Sequence, residues 1–107
     1  MSSTIDPHTE CVTLINVFTV EAARQQELID LLDEATEQVI RHRPGFISAN
    51  IHRGADGTHV ANYAHWASDK DFHAMLADPI AREHMGRCSA IAAADPVIYR
   101  VASVHHA

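Results

Sequence analysis

The chain has 107 residues, 47% hydrophobic and 21% charged. At about 100–200 residues per domain, this is one folded domain with the balance of a soluble globular protein. Fourteen acidic residues against eight basic ones leave a net charge of −6, which lacks the electrostatic footprint for gripping nucleic acid or an anionic membrane surface. No apolar run approaches the ~20 residues of a membrane-spanning helix, and no basic-then-apolar leader is recognisable, so a cytoplasmic protein is expected.

The first ten residues are polar, carry Pro7 and are expected to be a flexible lead-in to a single domain over 11–107. Residues 11–20, CVTLINVFTV, are rich in β-branched and aromatic side chains and predict a strand. Over 22–41 the period changes. Leu28, Leu31, Leu32, Ala35 and Val39 recur at helical spacing, with Arg24, Glu27, Asp30, Glu34 and Glu37 on the other side. Pro44-Gly45 ends that helix. Strands follow over 46–53 and 58–66, joined by Gly54-Ala55-Asp56-Gly57 as a hairpin turn. Ser68 caps a helix over 69–77, and Asp78-Pro79 opens another that runs to about Ala92. PVIYRVASV, 96–104, makes the last strand.

The order is β-α-β-β-α-β with the second helix broken. It predicts an α+β, ferredoxin-like fold: a four-stranded antiparallel sheet with its helices on one face. If Arg53 pairs with Thr58, then Ile51 faces Val60, Ala49 faces Asn62 and Ile47 faces Ala64. Alternation then puts Ile47, Ala49, Ile51, Val60, Asn62, Ala64 and Trp66 under the helices. The other face carries Phe46, Ser48, Asn50, His52, His59, Ala61, Tyr63 and His65. A half-polar sheet face with aromatic anchors suits an interface, so a homodimer packed through the open sheet face is expected.

Cys11 and Cys88 are expected to be reduced, mostly buried small hydrophobes. The nine histidines include no pair at a standard zinc spacing, so no metal site is expected. Asn62 breaks the apolar pattern of its face. A buried amide costs about 1–3 kcal/mol unless it is hydrogen-bonded. It is either satisfied by neighbouring backbone or it faces a cavity, where it would donate to a ligand oxygen. Trp66, one layer along the same face, would supply a flat apolar wall with one N–H donor.

These residues also carry a family likeness. Pro44-Gly45-Phe46, Asp56-Gly57-Thr58, Asn62-Tyr63-Ala64-His65-Trp66, Ser68 and Phe72 resemble the antibiotic biosynthesis monooxygenases over about residues 11–104. The Asn-Tyr-Ala-x-Trp run is similar to that of the anthrone-oxidising polyketide enzymes. The resemblance implies a dimeric α+β barrel that oxidises a flat, hydroxylated aromatic substrate with O2 to a quinone, without metal, flavin or haem. Asn62 would be the oxyanion donor and Trp66 would hold the substrate oxygen, while Phe72, Ile51, Ala49, Met75 and Asn16 would line the substrate site. Phe72 stands where such enzymes can carry a tyrosine that handles protons, and a cavity arginine has no clear counterpart. His73 and His84, on the broken helix, are then the candidate general bases. The chain also resembles the haem-degrading monooxygenases, which would use Asn16 and ligate haem through His84, although Met75 replaces the tryptophan they set against haem. A non-catalytic ligand-binding barrel, or a base-catalysed isomerase or lactone-opening enzyme, is compatible with the same scaffold.

Overall fold

The structure, a computed structural model, describes residues 11–107; the flexible segment expected over residues 1–10 lies outside the described residues. Strand β1 (Val12–Val20) lies inside an antiparallel sheet with β3 (His59–Trp66) on one side, and β2 (Phe46–Arg53) pairs with the far edge of β3. On its other side β1 pairs with β4 (Ala92–Ala93) and then β5 (Pro96–Tyr99). Both segments hold the same register against β1, so they act as one edge strand interrupted around Asp95. At the interruption Asn16 Oδ1 accepts the Asp95 N–H at 3.1 Å, which replaces a missing ladder bond.

Three helices cover one face. Helix α1 (Gln25–Gln38) buries Leu28, Leu32 and Ala35 at the spacing seen in the sequence, and Ile29 with them, while Leu31 and Val39 are half-buried. Helix α2 (Asp69–Ala77) starts at Ser68, whose Oγ accepts the Asp71 N–H. Helix α3 (Pro79–Ser89) starts at Asp78, whose Oδ1 accepts the N–H groups of Ile80 and Ala81. The ferredoxin-like arrangement expected from the sequence is therefore present, with a fifth short strand.

The differences have local causes. The last helix stops at Ser89, not Ala92, because Ala92 pairs with Val20 as β4. The last strand ends at Tyr99, not at residue 104. The hairpin register is shifted by two: Ile51 faces Asn62, Ala49 faces Ala64 and Arg53 faces Val60. The turn is longer than the four residues expected. Asp56 Oδ1 draws in the Thr58 N–H, Gly57 takes φ +81°, and the hairpin closes from Gly54 N–H to the His59 carbonyl. A two-residue shift conserves parity, so the face assignment of Ala49, Ile51, Val60, Asn62, Ala64 and Trp66 holds.

Parity fails only at the start of β2. A bulge between Phe46 and Ser48 returns Phe46 to the face of Trp66 and leaves Ile47 54% exposed, the reverse of the expected placement. The turn before it needs glycine. Gly45 has φ +82°, the Phe46 N–H bonds to the Arg43 carbonyl, and a Cβ on Gly45 would fall 2.3 Å from the Asp71 side chain. The Gly45 carbonyl accepts the Ala67 N–H at 2.7 Å, tying the end of β3 to this turn.

Candidate active site

The even-numbered residues of β1 point toward the helices. Their partners on β3 follow in register: Val12 against Trp66, Leu14 against Ala64, Asn16 against Asn62 and Phe18 against Val60. Three of these layers are apolar and one is not. The apolar layers fall into two clusters: Val12, Leu14, Ala64 and Trp66 pack with Phe72, Met75 and Ala81, while Phe18, Val20 and Val60 pack with Leu28, Ile29, Leu32 and Cys88. The Asn16–Asn62 layer lies at the seam between them.

Trp66 is 1% exposed and is held edge-on by two rings, Phe46 at 5.5 Å and Phe72 at 6.0 Å between centroids. Among the described residues its indole N–H has no hydrogen-bond partner. Three buried side-chain polar atoms among the described residues also lack partners: Arg43 Nε, Asn62 Oδ1 and Asp69 Oδ1. Arg43 and Asp69 are bonded through their other terminal atoms, to Asp78 at 3.1 Å and to Arg100 at 3.2 Å. Asn62 has no such bond, so neighbouring backbone does not satisfy it. Asn16, directly across, spends its amide oxygen on Asp95.

The two candidate histidines separate. His73 is exposed on α2, its ring 5.5 Å from that of Phe72. His84 is 8% exposed on the inward face of α3. Phe72 and Met75 are buried in the cluster around Trp66, and Ala49 packs against that cluster. Ile51 packs against the other cluster and is the cross-strand neighbour of Asn62.

An open groove of about 670 Å3 runs between α1 and the edge strand β2. Asp33, Thr36 and Glu37 line it from the helix, and Ala49 through His52 from the strand. Its size is within the range of small-molecule sites, and through Ile51 its floor adjoins Asn62. Of this helix wall the sequence pattern singles out only Glu37, on the polar side of α1, and not Asp33 or Thr36. That α1 leaves the β2 edge uncovered follows from the packing of three helices over the sheet, which periodicity does not encode.

Ionisable groups around the site are mostly structural. The Asp78 carboxyl is held below the usual carboxylate range by the Ala81 and Ile80 N–H groups and by Arg43. Burial raises the Cys88 thiol, which keeps it neutral. Among the described residues no group of three or more His, Cys, Asp or Glu side chains is placed to hold a metal ion. No helix among them is long and apolar enough to cross a membrane.

A ferredoxin-like sheet with an amide at the seam of its helix-covered core and an indole within the cluster beside it is a scaffold suited to a small ligand. The family follows from comparison with known proteins. The model of the antibiotic biosynthesis monooxygenase family matches residues 11–87, and the chain belongs to that family. It is 44% identical over 99 residues to the tetracenomycin-F1 monooxygenase of Streptomyces glaucescens, covering 92% of this chain and 88% of that protein. The monooxygenase ActVA-Orf6 of Streptomyces coelicolor, solved with the ligand nanaomycin D, is 30% identical with a TM-score of 0.80, covering 95% of this chain and 96% of that one. SnoaB of Streptomyces nogalater, described as a cofactor-independent oxygenase and known as the structure of an asparagine-to-alanine variant, shares the fold at 22% identity with a TM-score of 0.82, covering 90% of this chain and 97% of that one. The protein is a monooxygenase by family.

Proposed function

We propose that this monooxygenase oxidises a flat, hydroxylated aromatic polyketide of the anthrone type to a quinone, using O2 and no cofactor. The single observation that carries the reading is Asn62, half-buried on the helix-covered face with its amide oxygen enclosed and no hydrogen bond to any described residue, two layers along the strand from Trp66, whose indole N–H is likewise unbonded. Full-length similarity to the tetracenomycin-F1 and ActVA-Orf6 enzymes supports the substrate class. The naming of SnoaB as cofactor-independent supports the absence of a cofactor.

The chemistry asks little of the protein beyond binding and electrostatics. An anthrone methylene loses a proton and leaves its electron pair in the ring system, with charge on the carbonyl oxygen. That carbanion gives an electron to O2. Recombination yields a hydroperoxide, which loses water to leave a new carbonyl, so CH2 and O2 become C=O and H2O. The substrate enters by the groove between α1 and β2 and lies at the seam between the clusters. Donors set where the oxyanion grows lower the barrier without reorganising, and removing one such donor typically costs about 10²–10³ in rate. The NH2 of Asn62 and the N–H of Trp66 take that role. Phe72, Met75, Ala49 and Ile51 exclude water, and Asn16 holds the β4–β5 junction beside the site.

The enzyme works as a cytoplasmic homodimer through its open sheet face. Val17, Val97 and Tyr99 stand on that face and remain 38%, 41% and 46% exposed in the single chain. Charged residues are sparse there, which suits a protein interface.

The test is O2 uptake by chelator-treated, haem-free protein with a hydroxyanthrone, run beside Asn62→Ala. Quinone formation that depends on Asn62 is the expected result. Uptake no faster than the spontaneous rate would overturn the reading.

A further inference from the structure

Deprotonation of the substrate needs a proton acceptor beside the asparagine layer; Asp33, Glu37 and His52 line the open groove that leads there, and the residues proposed to enclose the substrate supply none. Asn62 and Trp66 donate hydrogen bonds. Phe72 is a hydrocarbon in the position where a tyrosine would have served. Among the described residues the buried polar side chains are Thr13, Gln25 and His84. Gln25 is committed to structure, since its Nε2 donates to the carbonyls of Gly54 and His59 at 3.0 Å each and so pins the hairpin to α1. Thr13 is odd-numbered on β1 and faces the opposite side of the sheet. The Cys88 thiol is kept protonated by burial. His84 is left, and it makes no hydrogen bond with any described residue.

Its place in the fold is set by its neighbours along α3. Ala81, one turn before, packs in the cluster of Leu14, Ala64 and Trp66. Cys88, one turn after, packs in the cluster of Phe18 and Val60. Residues 81, 84 and 88 share one helix face. The sheet layers pass from Leu14–Ala64 through Asn16–Asn62 to Phe18–Val60 as the helix passes from Ala81 to Cys88. His84, midway on the helix, therefore stands over the asparagine layer, midway on the sheet. Its ring nitrogens make no bond within the chain and are not among the fully enclosed atoms that lack partners, so the imidazole, though mostly buried, is free to take a proton from a molecule bound beside it.

We propose that His84 is the general base of this monooxygenase, taking the acidic C–H proton of the bound anthrone onto an imidazole nitrogen. The carbon–hydrogen bond breaks, its electron pair stays in the aromatic system as the carbanion that reduces O2, and the imidazolium returns its proton to the departing water. This inference rests on the polyketide reading above.

The experiment separates proton removal from oxygen chemistry. Wild-type protein, His84→Gln and His84→Ala are incubated without O2 in D2O with a hydroxyanthrone, and deuterium entry at the methylene is followed by NMR above the protein-free rate. Positioned acid–base catalysis is worth about 10²–10⁴-fold. His84→Gln, which keeps a polar side chain of similar size, is expected to lose at least about 100-fold of the exchange. His84→Ala is expected to regain exchange with added imidazole, at rates that follow the basicity of substituted imidazoles, whereas Asn62→Ala is not rescued. A purely structural histidine would give no such dependence. Exchange by folded His84→Gln within threefold of wild type overturns the proposal. So does a variant that exchanges normally but fails to oxidise, which would place His84 after proton removal, as would be expected of a haem ligand or an oxygen-site residue. If the wild type neither exchanges nor oxidises the anthrone, the polyketide reading falls and this proposal with it. If the wild type and His84→Gln do both equally, only the role of His84 falls.

Discussion

Replacing Asn62 by leucine should remove activity and leave the protein at least as stable as before. The carboxamide oxygen of Asn62 is buried without a partner. An unsatisfied buried acceptor costs roughly 1–3 kcal/mol of desolvation that nothing in the folded chain returns. Leucine has nearly the same shape, carries no polar atom, and joins apolar neighbours on both sides, with Ala64 in one cluster and Val60 in the other. The gain from removing the orphan oxygen is offset by imperfect packing, which for volume-conserving swaps stays below about 1.5 kcal/mol. The net change should thus lie between about zero and a few kcal/mol of stabilisation. At about 4–8 °C per kcal/mol for a domain near this size, a rise in melting temperature of several degrees is within reach.

Activity should move the other way, falling by about 10²–10³ as one oxyanion donor is lost. The assay pairs calorimetry or urea titration with oxygen uptake on the same preparations. An amide held only for structure would give a different pattern. Asn62→Leu would then lose 2 kcal/mol or more, and its activity would decline in step with the folded fraction. That result would refute the argument that the orphan oxygen is a functional strain.

Other changes separate shape from chemistry in the same way. Trp66→Phe keeps an aromatic ring between Phe46 and Phe72 but removes the N–H, so turnover should drop about 10-fold or more while near-ultraviolet circular dichroism shows the fold retained. Equal losses of turnover and thermal stability would make the indole structural. Val17→Lys puts a charge on the open sheet face, and sedimentation should then show monomer where the wild type shows dimer; an unchanged dimer would place the interface elsewhere. Asp78, whose carboxyl is lowered by the α3 N–H groups and Arg43, stabilises the fold above its unfolded value of about pH 3.9. That contribution is lost as pH falls through the lower folded value, because the unfolded chain binds the extra proton first. Asp78→Asn, which still caps the helix, should flatten the dependence of stability on pH below about 4 in urea titrations, and an unaltered slope would show that Asp78 does not set it.

Much of this site was legible in the sequence because β-structure reports its own sidedness. The period of two puts Val60, Asn62, Ala64 and Trp66 on one face whatever the register, so a two-residue slip in the hairpin left the site intact. A one-residue irregularity is another matter. The bulge at the start of β2 reversed Phe46 and Ile47, and with them one wall of the Trp66 cage. Nothing in the local residues marks that bulge, which directly follows the Gly45 turn packed against Asp71. The split between His73 and His84 was beyond the sequence for a similar reason. Both lie on short helices whose orientation is fixed at Asp78 by Arg43, a residue 35 positions away.

The seam of the core and the exposed open face belong to one design. A domain of about 100 residues buries little more than 60% of its unfolded surface and has little stability to spare. Splitting its core into two clusters, with an unsatisfied amide between them, weakens it further. The open face carries Ile15, Val17, Val97 and Tyr99 in place of the charged residues that usually protect an exposed sheet. Covering that face with a second copy buries apolar surface, and strand alternation keeps the added contacts away from the even-numbered residues of β1 and β3 that form the proposed site. Stability can then be supplied from one side of the sheet while the other keeps a polar, ligand-ready layer. The arrangement also explains why Asn16 and Asn62 occur as facing partners on adjacent strands. A layer that must stay open to a ligand excludes the apolar packing that would close it, and the proposed dimer makes its loss tolerable.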